Sequence, residues 1–560
     1  MNMKNEENEM MLPIKNVLTT SAVMWFLIAG FYVPCAYAQN DHASTERNNQ
    51  PYYSADDDLD SLLADQLKKA GFTGTLQASL EKRLGRPLDP ALANLGRLLW
   101  FDSITSLGND NSCSGCHSPA FGFGDSQSIA IGVENNGIVG PNRAGPRNQR
   151  RTPQAVNTGF YPSLMWNARF SAISHNPFDL SEGVRVPFFL GGTTVWRPGS
   201  AGIYGTFFDP GITKTLLGVQ ANFPPTELIE VAGFAVVDPM NLDSRLYSPP
   251  HPVSSGLVSD TVPEAVPGPN GSPPDSIDRS YSIRAKALDR LNNTPEYVSK
   301  FSALFPAAVG GNISFAEIGA AIAEFEFSTT FANAPIDRFA RGERNALTPR
   351  QKRGAELFFG KAKCIECHTV AGESNELFSD FQPHVAGIPQ VAPVGFGLKP
   401  GGNPQNPADF PGNFEFSGPN HDEDFGREEL TGDPVDRYAF RTAPLRNLAV
   451  QPAFFHNGAF TKLRDALRYH LNTERLAPHY NPVAAGLATD LTVRLGSFDT
   501  VLKRLDPRIV GLGKLKLSDQ EFESLLDFVQ YGLLDTGALP ANLCKVIYNK
   551  EHTIKKQPLV

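Results

Sequence analysis

Two short stretches of this 560-residue chain carry residues spaced for one kind of chemistry. Cys113-Ser-Gly-Cys116-His117 and Cys364-Ile-Glu-Cys367-His368 both read C-x-x-C-H. In an exported protein this spacing is that of a covalently attached c-type haem. The two thiols add to the haem vinyl groups, and the adjoining imidazole is held against the iron. A thioredoxin-like C-x-x-C follows a strand in a βαβ pattern, and neither copy does. A zinc site needs four ligands close in space. Two copies, each completed by His, point to two covalently bound haem c groups. Cys35 lies in an apolar leader, and Cys544 stands outside both motifs.

Helices must position these motifs, and the sequence marks where they begin. Asp89-Pro90 precedes ALANLGRLLWFD, and Thr348-Pro349 precedes RQKRGAELFFG. Each start offers an N-cap residue followed by Pro at the first helical position. Thr348 with Gln351, and Ser518 with Glu521, fit capping boxes. Each pre-motif helix has a Gly in its middle (Gly96, Gly354) and an apolar run near its end. A further helix is expected over 315–327. After Ser518, the residues Phe522, Leu525, Leu526 and Val529 form one apolar face. The proline-rich stretch 249–274 and the Gly/Pro/Asn-rich stretch 401–420 read as surface loops. Strand signal is sparse. The expected fold is mostly α: two cytochrome-c-like haem domains with long loops and insertions. They span 39–345 and 346–540, and 541–560 forms a tail.

Composition narrows the partners. Lys plus Arg is 50 and Asp plus Glu is 59, a formal net charge of −9. Phosphate binding needs clustered basic residues, so nucleic acid is not the expected partner. A hydrophobic fraction of 41% supports packed cores rather than a disordered chain. One long apolar segment, 17–37, ends in Ala36-Tyr37-Ala38, a small-x-small cleavage pattern. Residues 1–38 are read as a signal peptide that exports the chain to the periplasm, an uncleaved anchor through 17–37 being the alternative.

With both motifs in place, the chain resembles the bacterial di-haem cytochrome c peroxidase and MauG family. The resemblance spans roughly 85–175, 215–240 and 315–535. It is carried by LGRLLWFD, RRTPQAVNTGFYPSLMWNARF, RGAELFFGKAKCIECH, FSDFQPHVAGIP and RYAFRTAPLRNLAVQPAFFHNGAF. It implies haems on either side of a domain interface, the first meeting peroxide and the second relaying electrons. The family has a Trp between the haems in a W-D-G-R-like block. Here that block is Trp166-Asn-Ala-Arg169, which makes Trp166 the candidate electron bridge. The family's peroxide pocket is matched by Gln220, Pro224 and Glu230, with Glu227 as a rival carboxylate. A carboxyl there can move a proton between the two peroxide oxygens.

The second haem's sixth ligand can be argued by counting. Family members often use His/Met ligation, yet no Met lies beyond Met240. The aligned position falls in KLRDALRYHLN and holds His470, on the same face of an expected helix as Leu463, Ala466 and Leu467. We expect His368/His470 ligation, with Tyr469 and His456 as competitors and His384, His421 and His479 behind them. Gated family members carry a His shortly after the first motif. Here 118–174 contains none, so the first haem is expected to be open on its distal side unless His175 ligates it. The family often holds Ca²⁺ through an Asn and a Thr-x-Pro. Thr442 and Pro444 match, but Arg151 stands at the Asn position.

The leading expectation is a periplasmic di-haem peroxidase. It would reduce hydrogen peroxide at the first haem, with electrons delivered through the second by a small cytochrome c or cupredoxin. A MauG-like oxidase acting on Trp or Tyr of a protein substrate is the main alternative. A rubber-oxygenase-like enzyme fits less well, because Gln220, Pro224 and Glu230 are retained. A plain electron-transfer cytochrome would leave peroxide unreacted.

Overall fold

A computed structural model describes residues 55–106, 108–145, 147–148, 150–187, 193–199, 208–232, 277–393, 424–493 and 498–547. The expected leader 1–38 and the loops 249–274 and 401–420 lie outside these residues, as do Met240 and His421. The protein is mostly helical. Its main helices are α1 (Ala55–Lys69), α2 (Pro90–Phe101), α3 (Leu216–Gln220), α4 (Ile277–Asn292), α5 (Pro295–Leu304), α6 (Phe315–Ser328), α7 (Pro349–Phe359), α8 (Leu463–His470), α9 (Asp519–Asp527) and α10 (Pro540–Ile547). Among the described residues, no helix is long and apolar enough to cross a membrane.

The marked helix starts form as expected. Asp89 accepts from the amides of Ala91 and Leu92 with Pro90 behind it. Thr348 and Ser518 each complete a capping box, with Gln351 and Glu521 respectively. The mid-helix glycines have a packing reason. α2 lies along α6, and α7 lies along α9. A Cβ at Gly96 would stand 1.8 Å from the Ala321 carbonyl oxygen, and one at Gly354 would stand 2.0 Å from that of Ser524. Only hydrogen at these positions lets the paired backbones approach so closely.

The cores do not follow the linear division at residue 345. The core around Phe358 and Phe528 takes in Leu63 and Leu67 of α1 and Ile336 and Phe339. Lys352 of α7 pairs with Asp60 of α1 at 2.6 Å. At the other end, residues 541–547 are not a loose tail. Leu543 and Ile547 of α10 bury in the core formed by α2 and α6. Each end of the described chain thus packs on the module farther from it in sequence, because its apolar stripe finds a matching surface there.

A small sheet escaped the sequence reading because its strands are too short for alternation to register. β1 (Ser163–Leu164), β2 (Phe170–Ala172), β3 (Val184–Pro187) and β4 (Thr193–Trp196) pair antiparallel in chain order. Phe170, Val184, Val186 and Trp196 bury one face in a core shared with Phe160 and Phe223. The β1–β2 turn carries Trp166. Met165 and Ala168 flank it with φ of 67° and 61°, a left-handed conformation that non-glycine residues hold only under tertiary constraint.

One buried ion pair fastens the second module. Both oxygens of Asp337 accept from Arg446 at 2.7 Å, and Arg446 Nε donates to the Glu376 carbonyl at 2.8 Å. The two side chains are 2% and 0% exposed. Arg446→Met strands a buried carboxylate. It is expected to destabilise the fold by about 3–5 kcal/mol, read as a lower urea midpoint at unchanged slope.

Candidate active site

Two cavities lie side by side. The first, about 160 Å³, is lined by Cys113, Cys116 and His117. The second, about 240 Å³, is lined by Cys364, Cys367 and His368. In each motif the backbone turns tightly, and the His amide closes on the first cysteine's carbonyl at 2.8 and 2.9 Å. His117 Nδ1 lies 3.3 Å from the Phe123 carbonyl, and His368 Nδ1 lies 2.8 Å from that of Phe378. Such a bond fixes the tautomer and leaves Nε2 as the ligating atom. Burial pushes His117 down to about 4 and also lowers His368, so both imidazoles are neutral. Burial pushes the thiols of Cys113, Cys116 and Cys364 up to about 12 and that of Cys367 to about 11. A reactive redox C-x-x-C shows the opposite shift.

The first cavity also gathers Gln220, Pro224, Glu227 and Glu230. Gln220 ends α3, Pro224 opens a 3₁₀ turn, and Glu230 sits in the π-helical turn Leu228–Ala232. Asn111 Nδ2 donates to the Glu230 carbonyl at 2.6 Å, tying that turn to the strand of chain before Cys113. Glu227 lies 4.0 Å from Arg169. His117 is the only histidine among the described residues that lines this cavity. His175 is elsewhere: its ring is 61% exposed and pairs with Glu373 at 3.1 Å.

One group in this cavity was not anticipated. Glu326 of α6 lies on its wall and accepts from Thr158 Oγ1 at 2.8 Å. Burial pushes its carboxyl up to about 7. The signal was present as acidic residues inside the apolar run FAEIGAAIAEFEF, but nothing in the sequence told Glu326 from Glu324. Glu324 instead caps Arg86 at 2.5 Å.

The second cavity brings His470 opposite His368. Their ring centroids are 6.4 Å apart, with planes at 68°. Leu463, Ala466 and Leu467 of α8 line the cavity alongside His470. Burial holds His470 down at about 4, and its Nδ1 has no hydrogen-bond partner. Tyr469, His384 and His479 are otherwise engaged or turned away, while His456 lines the cavity with an unbonded Nε2. Tyr469 OH donates to the Gly387 carbonyl at 2.5 Å and does not line the cavity. His384 places its two ring nitrogens 2.8 Å from Asp380 and 2.8 Å from Asp506. His456 stacks on Phe440 at 3.6 Å. His479 is exposed.

Trp166 lines both cavities, together with Arg151, Pro153, Tyr161 and Arg441. Its indole Nε1 donates to the Arg151 carbonyl at 2.7 Å, and its own carbonyl accepts from the Arg441 amide at 2.8 Å.

Residues 90–345 match the family model for di-haem cytochrome c peroxidase. The chain is 25% identical over 399 residues to cytochrome-c peroxidase IdrP2 of Denitromonas iodatirespirans, covering 70% of this chain and 76% of that protein. It is 23% identical over 389 residues to the methylamine utilization protein MauG of Methylorubrum extorquens, covering 69% and 70%. The chain is thus similar to di-haem cytochrome c peroxidases and to MauG. Among solved structures it is similar to the diheme peroxidase BthA from Burkholderia thailandensis, with TM-score 0.47 and 16% identity over 81% of this chain and 88% of that one. The protein is a peroxidase-like oxidoreductase, and the family whose model it matches carries two haems.

The residues present fit that cofactor. Each cavity carries two thiols and an oriented, neutral imidazole. Two imidazoles that each place a nitrogen about 2.0–2.1 Å from one shared metal ion stand at about the separation seen between His368 and His470. Calcium does not fit. The Thr442 carbonyl already accepts from Ser379 Oγ at 2.7 Å and from the Arg441 guanidinium at 3.2 Å. The Arg151 guanidinium takes the carbonyls of Asp125 and Gln127 and the side chain of Gln451. Cationic donors thus occupy oxygens that a cation would need, Pro444 only lines the second cavity, and we derive no role for calcium.

Proposed function

We propose that the protein is a periplasmic di-haem peroxidase with two haem c domains. Cys113, Cys116 and His117 hold the first haem; Cys364, Cys367, His368 and His470 hold the second. The observation that carries this reading is the meeting of Gln220, Pro224 and Glu230 with His117 in one cavity, while Trp166 lines both. When bound, the haems supply a peroxide-binding iron in the first cavity and one-electron storage in both.

The chain's own residues then handle the proton and the electrons. Glu230 takes the proton from the incoming peroxide and delivers it to the oxygen that leaves as water. Gln220 orients the peroxide by hydrogen bonding, and Pro224 fixes the turn that presents Glu230. Trp166, held by main-chain bonds at both ends, carries electrons between the cavities. Each peroxide consumes two electrons and two protons and gives two waters. A small cytochrome c or cupredoxin is the electron source, and a basic one is favoured by the acidic net charge.

A MauG-like oxidation of Trp or Tyr on a protein substrate is the second reading. It is favoured by His470 in place of Met and by a first cavity in which His117 is the only histidine among the described residues. In that case electrons come from the substrate side chain through the second site.

The test is peroxide consumption by the haem-loaded protein with a reduced small cytochrome in excess. Two covalent haems per chain and two cytochromes oxidised per peroxide are expected. Two haems with no cytochrome oxidation would contradict the peroxidase reading and leave the MauG-like one. Trp166→Phe is expected to slow cytochrome oxidation while leaving the first reaction with peroxide at its normal rate. Stopped-flow comparison of the two phases checks this.

A further inference from the structure

The wall between the cavities holds two buried guanidiniums whose charge no contacting carboxylate balances. Arg446 and Arg150 are buried against carboxylates, Asp337 at 2.7 Å and Asp424 at 2.6 Å, whereas Arg143, outside both cavities, is met by carbonyls and Asn111. Arg441 is 4% exposed, its Nε donates to the Met165 carbonyl at 3.0 Å, and its Nη1 donates to the Thr442 carbonyl at 3.2 Å. Its guanidinium lies 5.5 and 5.2 Å from the rings of Tyr161 and Phe381. Arg151 is 3% exposed and donates to the carbonyls of Asp125 and Gln127 at 3.1 and 2.8 Å and to Gln451 Oε1 at 3.0 Å. Among the described residues, neither has a carboxylate within ion-pair reach. Asp125 acts on Arg151 only at longer range. Burial pushes both guanidiniums down to about 10, as expected for cations short of an anion. Both line both cavities.

A buried cation needs an anion, and a planar guanidinium fork matches a carboxylate. We infer that Arg441 and Arg151 are the receptors for the propionate carboxylates that haem c brings into the two cavities. This assignment rests on the proposed reading that both cavities hold haem. It gives the wall a double use. The residues that receive the carboxylates also grip Trp166, through the Arg151 carbonyl at 2.7 Å and the Arg441 amide at 2.8 Å. Arg441 and Arg151 are therefore positioning residues. They offset the propionate charge, and their main chains hold the bridging indole in the wall between the cavities. Their charge favours the reduced, less positive form of each haem.

The test is a spectroelectrochemical titration of the haem-loaded protein beside its Arg441→Gln and Arg441→Lys variants. Haem per chain is counted by the pyridine haemochrome assay. We expect Arg441→Gln to keep two haems and to lose at least tenfold in the one-electron reduction equilibrium of one of them, a fall of about 59 mV. Arg441→Lys keeps the charge without the fork and is expected to restore most of the shift. If Arg441→Gln does not accumulate with haem, Arg151→Gln gives the same readout. Potentials equal to the wild type, or equal shifts in the Gln and Lys variants with both haems attached, would overturn the assignment. A wild-type chain that takes up no haem would instead overturn the di-haem reading beneath it.

Discussion

Glu230→Gln is expected to slow the reaction of the protein with hydrogen peroxide by about 10²–10⁴-fold, the usual worth of a positioned general acid–base group. The substitution keeps the size of the side chain and removes its ability to exchange a proton. The turn that presents it should survive, because Asn111 holds the main-chain carbonyl of residue 230 rather than its side chain. Both haems should remain attached, since the substitution leaves Cys113, Cys116, Cys364 and Cys367 in place. Glu227→Gln is the control. That carboxylate lies 4.0 Å from Arg169, which gives it a cationic partner of its own. Its loss is expected to change the rate only a few-fold. The check is the observed rate against peroxide concentration in stopped flow. Equal rates for wild type and Glu230→Gln would remove Glu230 from the chemistry, and a large loss in Glu227→Gln alone would move the role to that residue.

The second large effect concerns the ligand opposite His368. His470→Met replaces an imidazole with a thioether, a softer ligand that raises haem potentials. The second haem is expected to rise by on the order of 0.1 V or more, within the roughly 0.8 V that axial ligands span. The first haem should keep its potential. The geometry supports the choice: the 6.4 Å between the His368 and His470 rings leaves room for one metal centre. His470 is the last residue of α8, and Met is a good helix former there. An unchanged second potential and spectrum would show that His470 is not the ligand. His456, in the same cavity with an unbonded Nε2, would then be the residue to replace.

The parts of the molecule legible in the sequence are those fixed by local chemistry. The C-x-x-C-H spacing is set by the distance between two thiols and an imidazole on one turn of chain. Asp89, Thr348 and Ser518 announce their helices because capping is a contact over two or three residues. Gly96 and Gly354 could be seen as a matched pair, but their reason, backbone against backbone, exists only once α6 and α9 are in place. What stayed hidden depends on long-range burial. Trp166 stands on a hairpin whose strands are two and three residues long, too short to show alternation. Arg441 sits in the block RYAFRTAPLRNLAVQPAFFHNGAF, yet its lack of a carboxylate partner is a property of the assembled wall. Glu326 reads as one more acidic residue on a helix until burial lifts it to about 7. The crossing of α1 and α10 onto the opposite modules follows from which apolar faces meet, and no local signal encodes that.

The central claim is that the cavity of His117 is open to peroxide and ready without prior reduction. The most direct test adds one equivalent of hydrogen peroxide to the fully oxidised protein and follows visible and near-infrared absorption. A rapid spectral change is expected, decaying faster when a reduced small cytochrome is present. No change in the oxidised protein would contradict the account: a reaction that appears only after one-electron reduction would mean a gated first haem, and none even then would leave the protein an electron carrier.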